Sequence, residues 1–178
     1  MNYDVTVYKP KKDAIKKNLN PVILIALITI VSCQKNADTD KEIEAILNVV
    51  QDEGNAHGAH DLEGLQNAYV HDSLTVRAVI NPNSYAVRVG WDKVNSIFES
   101  WMKIDMSKYS DIKHSKENAI VKVLDNSAWL ICDNVWNYEV NGEPAQENEI
   151  QITFLEKSDG EWRISFNTII PRPDPEKE

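Results

Sequence analysis

His71 and Asp133 are the side chains best placed by type and context for proton transfer. A histidine titrates close to neutral pH, so His71 could act as a base or hydrogen-bond donor, or sit at the surface bonded to a backbone carbonyl. Asp133 stands in the middle of Trp129-Leu130-Ile131-Cys132-Asp133-Asn134-Val135-Trp136. Turned inward among such neighbours, its carboxyl would have a pKa raised by burial and would be a candidate general base, unless a cation compensates. Arg77 lies inside an otherwise apolar stretch, where a guanidinium needs a carboxylate or solvent. It could clamp an acidic ligand, pair with Asp133 or point outward. Tyr69, Tyr85 and Tyr138 offer hydroxyl donors, and Asn167 offers an amide. Of the five tryptophans, Trp91 and Trp136 are the ones expected to line a cavity, where an aromatic wall with few polar groups suits a small organic ligand.

Glu53, His57 and His60 fall at i, i+4 and i+7, a spacing that could present two histidines and a carboxylate to zinc. Gly58 places His60 at or beyond the end of the helix, however, which breaks that face; the stretch reads as a solvated helix end, and neither a metal nor a cofactor is expected. No Ser/His/Asp set, Cys–His pair or glycine-rich phosphate loop is present. Lys+Arg number 19 against 28 Asp+Glu, for a net charge of −9, which argues against a nucleic-acid partner. Two cysteines make no disulfide framework and lack zinc-ligand spacing, and Cys132, between apolar residues, reads as core. A mean hydropathy of −0.43 excludes a multi-span membrane protein.

The elements that must position these residues follow from periodicity. From Asp40 to about Ala56, the residues Ile43, Ile46, Leu47 and Val50 fall at helical spacing. Asp61 caps a second, short helix with Leu62, Leu65, Ala68 and Tyr69 on one face. Leu74 to Ile80 alternates with period two, and after the turn Asn81-Pro82-Asn83-Ser84 a second strand covers Tyr85 to Val89. Gly90-Trp91-Asp92 opens a third helix carrying Val94, Ile97, Phe98, Trp101 and Met102. Four strands follow over 113–124, 128–140, 146–157 and 161–170, separated by Asp125-Asn126, Asn141-Gly142 and Ser158-Asp159-Gly160, the chemistry of tight hairpins. This is an α+β pattern, helices packed on one face of an antiparallel sheet. Apolar residues on both strand faces point to a sheet curved strongly enough to leave a cavity at its open end.

Two resemblances extend this reading. Five lysines and one aspartate over 9–17, then the apolar run Val22–Val31, form a basic flank and a stretch too short to span ~30 Å of hydrocarbon. Ile30-Val31-Ser32-Cys33 resembles the lipobox of bacterial lipoproteins, which implies acylation of Cys33 and cleavage ahead of it. The polar residues after Cys33 loosely resemble the surface-export tethers of Bacteroidota lipoproteins. In the rest of the chain, Asp61-Leu62-Glu63-Gly64-Leu65, Tyr69-Val70-His71-Asp72, Gly90-Trp91-Asp92-Lys93-Val94, Asn126-Ser127-Ala128-Trp129-Leu130 and the 159–165 segment resemble, in order and spacing, the nuclear transport factor 2-like superfamily, which includes SnoaL-like domains. That resemblance implies a cone-shaped curved antiparallel sheet wrapped around three N-terminal helices, with a pocket inside. Some of its members are isomerases, cyclases or dehydratases that use a pocket carboxylate as base; others bind ligands or support other domains. It also places His71 where the family's pocket wall begins.

The expected organisation is a signal peptide over 1–32, an acylated Cys33 with a tether over 33–39, the domain over 40–170 and a tail over 171–178. The expected function is binding of a small, partly apolar ligand by a domain anchored to the bacterial cell envelope, with Tyr69, His71, Arg77, Trp91, Asp133, Trp136 and Asn167 around the ligand. The alternatives are an acid–base enzyme using Asp133 or His71, and an interaction module that forms a homodimer.

Overall fold

A computed structural model describes residues 29–81 and 83–172, with side chains from Asp38 onward. Most of the expected export segment and the last residues of the tail lie outside this range, and the side chain of Cys33 is not among those described. Helix α1 spans Thr29–Gly58, opening well before Asp40. Neither proline nor glycine occurs between Thr29 and Gly54, so nothing in the backbone chemistry ends the helix at the polar 34–42 stretch. Ile46 and Val50 are fully buried, and Glu53 and His57 continue their stripe by the i, i+3/i+4 rule, which turns Glu53 inward. The described helices include none long and apolar enough to cross a membrane.

Helix α2 (Leu62–Asn67) is capped as expected: Asp61 Oδ1 accepts from the Gly64 amide at 3.0 Å. The next segment is pinned to the far end of the chain, for Val70 N donates to Ile164 O and Ile164 N donates to Ala68 O, which fixes Tyr69 against the last strand. Strands β1 (Val76–Asn81) and β2 (Ser84–Val89) form a hairpin, and α3 (Trp91–Trp101) buries Val94 and Phe98. The long strands β3 (Tyr109–Leu124), β4 (Ser127–Val140), β5 (Glu143–Ser158) and β6 (Glu161–Pro171) complete the chain. Asn141-Gly142 and Asp159-Gly160 all have positive φ, the geometry that two-residue hairpins demand.

The six strands form one sheet in the order β2-β1-β6-β5-β4-β3. The expected all-antiparallel sheet needs one correction: β1 and β6 are parallel, while every other neighbouring pair is antiparallel. No hairpin joins β1 to β6, so no local turn sets their relative direction. Their pairing places Arg77 beside Asn167.

The sheet curls around the helices, and its inner face changes character along each long strand. On β4, Ala128, Leu130 and Cys132 are buried in a core with Leu65, Phe98, Leu155 and Ile164. The same face continues with Asn134, Trp136 and Tyr138, which face an open interior. On β5, Leu155 and Thr153 give way to Gln151, Glu149 and Glu147. The core therefore closes one end of the cone and a polar and aromatic lining opens the other.

Gly54 marks where α1 crosses β3. A Cβ there would stand 1.8 Å from His114 Cε1, so the His114 ring occupies the space a side chain would take. Overpacking of this kind costs about 1–3 kcal/mol. Gly54→Ala is expected to lower the thermal midpoint by roughly 5 °C, measured by circular dichroism melting; an unchanged midpoint would show that β3 yields freely at this crossing.

Candidate functional site

The open end holds a cavity of about 440 Å³. One side is apolar, formed by Ile97, Trp101, Met106, Ile112 and Trp136, with Val79 and Ile169 deeper. The floor is polar, and it is built around an ion pair between Glu53 and Arg77 at 2.9 Å, both partners nearly removed from solvent at 3% and 8% exposure.

The pair is embedded in a chain of directed hydrogen bonds. Glu53 Oε1 accepts from Arg77 Nη1 and from the Tyr69 hydroxyl at 3.1 Å. Tyr69 in turn accepts from Arg77 at 2.6 Å and from Asn167 Nδ2 at 2.9 Å. Asn167 Oδ1 accepts from Gln151 Nε2 at 3.1 Å, and Gln151 Oε1 accepts from Lys116 Nζ. Lys116 also donates to Asn134 Oδ1 at 2.7 Å, while Asn134 Nδ2 donates to Glu149 at 2.5 Å. Strand register produces this row, because Lys116 pairs with Asn134 and Asn134 with Glu149 across three adjacent strands.

Charge settles how each group titrates. Burial would push the Glu53 carboxyl up, but Arg77 and Lys116 outweigh it and hold the carboxyl down at about 2. Burial, joined by the positive field of Arg77, pushes His57 down to about 4. His114 is likewise pushed down to about 4 by burial and by Lys116. Burial lowers Lys116 and raises Glu149 from their ordinary values. His57 and His114 are therefore neutral near pH 7. The His57 ring stacks on Trp101 with centroids 4.4 Å apart, and its Nδ1 is buried with no hydrogen-bond partner among the described residues.

The structure gathers some of the expected site residues and disperses others. Arg77 and Trp136 line the cavity. Tyr69 and Asn167 lie one layer behind it, fully buried and bonded to its floor. His71 does not reach the cavity: it is exposed, its Nε2 lies 2.8 Å from Gln66 O, and its ring stacks on Trp91 at 3.8 Å, which keeps Trp91 away as well. Asp133 is on the outer face of β4, where Asn118 Nδ2 donates to it at 2.6 Å and Arg172 pairs with it. Strand side chains alternate, so the inward position belongs to Asn134, one residue further on. Arg77 pairs with Glu53 instead of Asp133. Cys132 is buried and its thiol is pushed up to about 11 by burial, so it packs in the core and does not react.

Glu53, His57, Lys116, Asn134, Glu149 and Gln151 are among the lining residues that sequence reasoning did not assign to a pocket. Two signals were available. Glu53 continues the Ile46–Val50 stripe, and Asn134, Trp136 and Tyr138 share parity with Leu130 and Cys132.

Glu53 has a folded pKa below its unfolded value, so its ionisation stabilises the fold above about pH 4.5 and that contribution is lost as pH falls toward 2. Glu53→Gln leaves the Arg77 charge buried and is expected to cost about 3–5 kcal/mol near neutral pH. Thermal melts across pH should show the variant destabilised at pH 7 yet declining less steeply in acid than the wild type. Parallel acid slopes would remove Glu53 from the account.

No family model matches the chain, and no curated protein matches it. Solved structures do. A nuclear transport factor 2-like protein with a cystatin-like fold from Novosphingobium aromaticivorans superposes with a TM-score of 0.63 at 18% identity, covering 82% of this chain and 90% of that one. A candidate scytalone dehydratase from the same organism gives 0.61 at 17% identity, covering 77% and 89%. A nuclear transport factor 2-like superfamily protein from Salmonella enterica gives 0.60 at 14% identity, covering 77% and 95%. Helices cradled by a curved, unclosed six-stranded sheet, with a cavity at the open end, are the nuclear transport factor 2-like fold, and this chain has it.

Proposed function

We propose that this protein binds a small, partly apolar organic ligand in the cavity of the cone. The observation that carries the reading is the lining itself: an aromatic and aliphatic wall facing a floor of polar groups already fixed by one another. Pockets of this make-up hold a ligand by apolar burial and orient it with a few polar contacts. The third reading from sequence, an interaction module that forms a homodimer, needs no cavity and draws no support from an open one of this size.

Native mass spectrometry of the protein purified from its own organism tests the reading. A reproducible non-covalent adduct of small-molecule mass is expected. Trp136→Ala should weaken its retention by about tenfold or more. A protein that is always empty, with a Trp136→Ala variant indistinguishable from wild type towards added apolar probes, would overturn it.

A specific observation favours acid–base chemistry as a second reading. His57 is a neutral imidazole on the cavity wall with an unpartnered buried nitrogen, and Glu149, lining the same cavity, is raised from its ordinary value. Dehydratase-type chemistry, as in the name of the Novosphingobium relative, would draw on such a pair. The roles first considered for Asp133 and His71 then pass to these two residues. His57→Gln is expected to abolish turnover while leaving ligand retention within about twofold; turnover unaffected by the change would remove His57 from catalysis.

The lipobox-like Ile30-Val31-Ser32-Cys33 supports acylation at Cys33 and attachment to the bacterial envelope. Cys33→Ser is expected to move the protein from the membrane fraction to the soluble fraction, or to leave an uncleaved precursor. Continued lipid modification of the variant would exclude this anchor.

A further inference from the structure

We infer that the ligand carries a carboxylate or a comparable monoanionic group, and that Lys116 binds it. The inference rests on the cavity-binding reading above and adds to it the ligand's charge.

Lys116 is the cation on the cavity floor that no described residue neutralises by contact. An ammonium has three N–H donors. Among the described residues Lys116 donates to Asn134 Oδ1 and Gln151 Oε1, both neutral amide oxygens. Among the described residues, no carboxylate forms an ion pair with it. Arg77, the buried cation of the floor, has Glu53 in direct contact.

The amides are held with their oxygens toward Lys116. Asn134 Oδ1 is also approached by His114 Nε2 at 2.6 Å, and Asn134 Nδ2 is committed to Glu149. Gln151 Nε2 is committed to Thr153 Oγ1 at 3.2 Å and Asn167 Oδ1 at 3.1 Å. The network therefore steadies the ammonium without neutralising it. Glu53 attracts it from a distance, but Glu53 Oε1 is already shared by Arg77 and Tyr69. Glu149 also attracts it from a distance, across the Asn134 side chain that bonds to both.

A half-buried charge with no counter-charge in contact is poorly solvated, and a ligand anion would relieve that cost. The carboxylates near the mouth do not make an equivalent site for a cation. Glu147 is solvent-exposed and accepts from the Tyr138 hydroxyl at 2.6 Å, so water already solvates it. The lining thus fits an amphiphile whose anionic head meets Lys116 and whose apolar body lies against Trp136 and Trp101.

The test uses the full chain and two matched pairs of probes, 3-phenylpropanoate with 3-phenylpropanamide and 5-phenylpentanoate with 5-phenylpentanamide. Affinities are read from tryptophan fluorescence and confirmed by calorimetry. In the wild type each acid is expected to bind about tenfold tighter than its amide or better. Lys116→Met should reduce the acid to the level of the amide and leave the amide unchanged, and Lys116→Arg should keep the preference. If Lys116→Met does not fold, the wild-type comparison and the arginine variant decide. Amides that match or exceed the acids, or a preference that survives in Lys116→Met, would overturn the assignment of charge while the cavity reading stands. Binding of none of the four probes, together with an empty native protein, would overturn both.

Discussion

The ion pair between Glu53 and Arg77 is the constraint around which the interior of this fold is arranged. A guanidinium and a carboxylate almost out of solvent are tolerable only when each is matched in charge and hydrogen bonding. Glu53 comes from the first helix and Arg77 from the first strand, so their contact ties helix to sheet across the concave face. Tyr69, held in place by backbone bonds to β6, bridges both partners, and Asn167 extends the arrangement along β6. A sheet that shifted relative to α1 would strand two opposite charges in a poorly solvating interior.

From that pair a single line of hydrogen bonds crosses the floor to Lys116 and on to Glu149. Each amide along it points one way because its neighbours require it, so the floor is polar but already ordered. This separates two kinds of polar residue. Tyr69 and Asn167 spend their groups within the protein and hold the residues that line the cavity. Among the described residues, His57 Nδ1 has no hydrogen-bond partner and Lys116 has no carboxylate in contact.

The same inner face serves stability at one end and the cavity at the other. Along β4 the change comes between Cys132 and Asn134, and along β5 it comes around Thr153 and Gln151. The apolar end packs Leu130, Leu155, Ile164 and Phe98 against the first helix, and its few polar groups are paired, as where Trp162 Nε1 donates to Glu42. The open end could not be filled with apolar side chains without stranding the Glu53–Arg77 network, which would lose its remaining polar surroundings. An unfilled interior is thus compatible with a stable domain because the packed end does the stabilising.

Much of the fold was determined by local sequence chemistry. Helical spacing of apolar residues, Asp61 as a cap, and Asn-Gly and Asp-Gly at the hairpins act over a few residues, so they can be read without neighbours. Residue type marks Arg77 and Trp136 as candidates, but the sequence leaves Arg77 open between a ligand clamp, a pair with Asp133 and an outward position. Tertiary structure alone decided what Arg77 would meet, because Glu53 is brought to it by the packing of α1 on the sheet. It also decided the parallel pairing of β1 and β6. Asp133 shows how narrow the margin is: sheet side chains alternate with a period of two, so the face that β4 turned inward gave the cavity Asn134 and gave Asp133 to the outer surface. Lys116 acquired its role through register, set by bulges in β3 and pairing across three strands, and long-range pairing of that kind leaves no mark on the residues beside it.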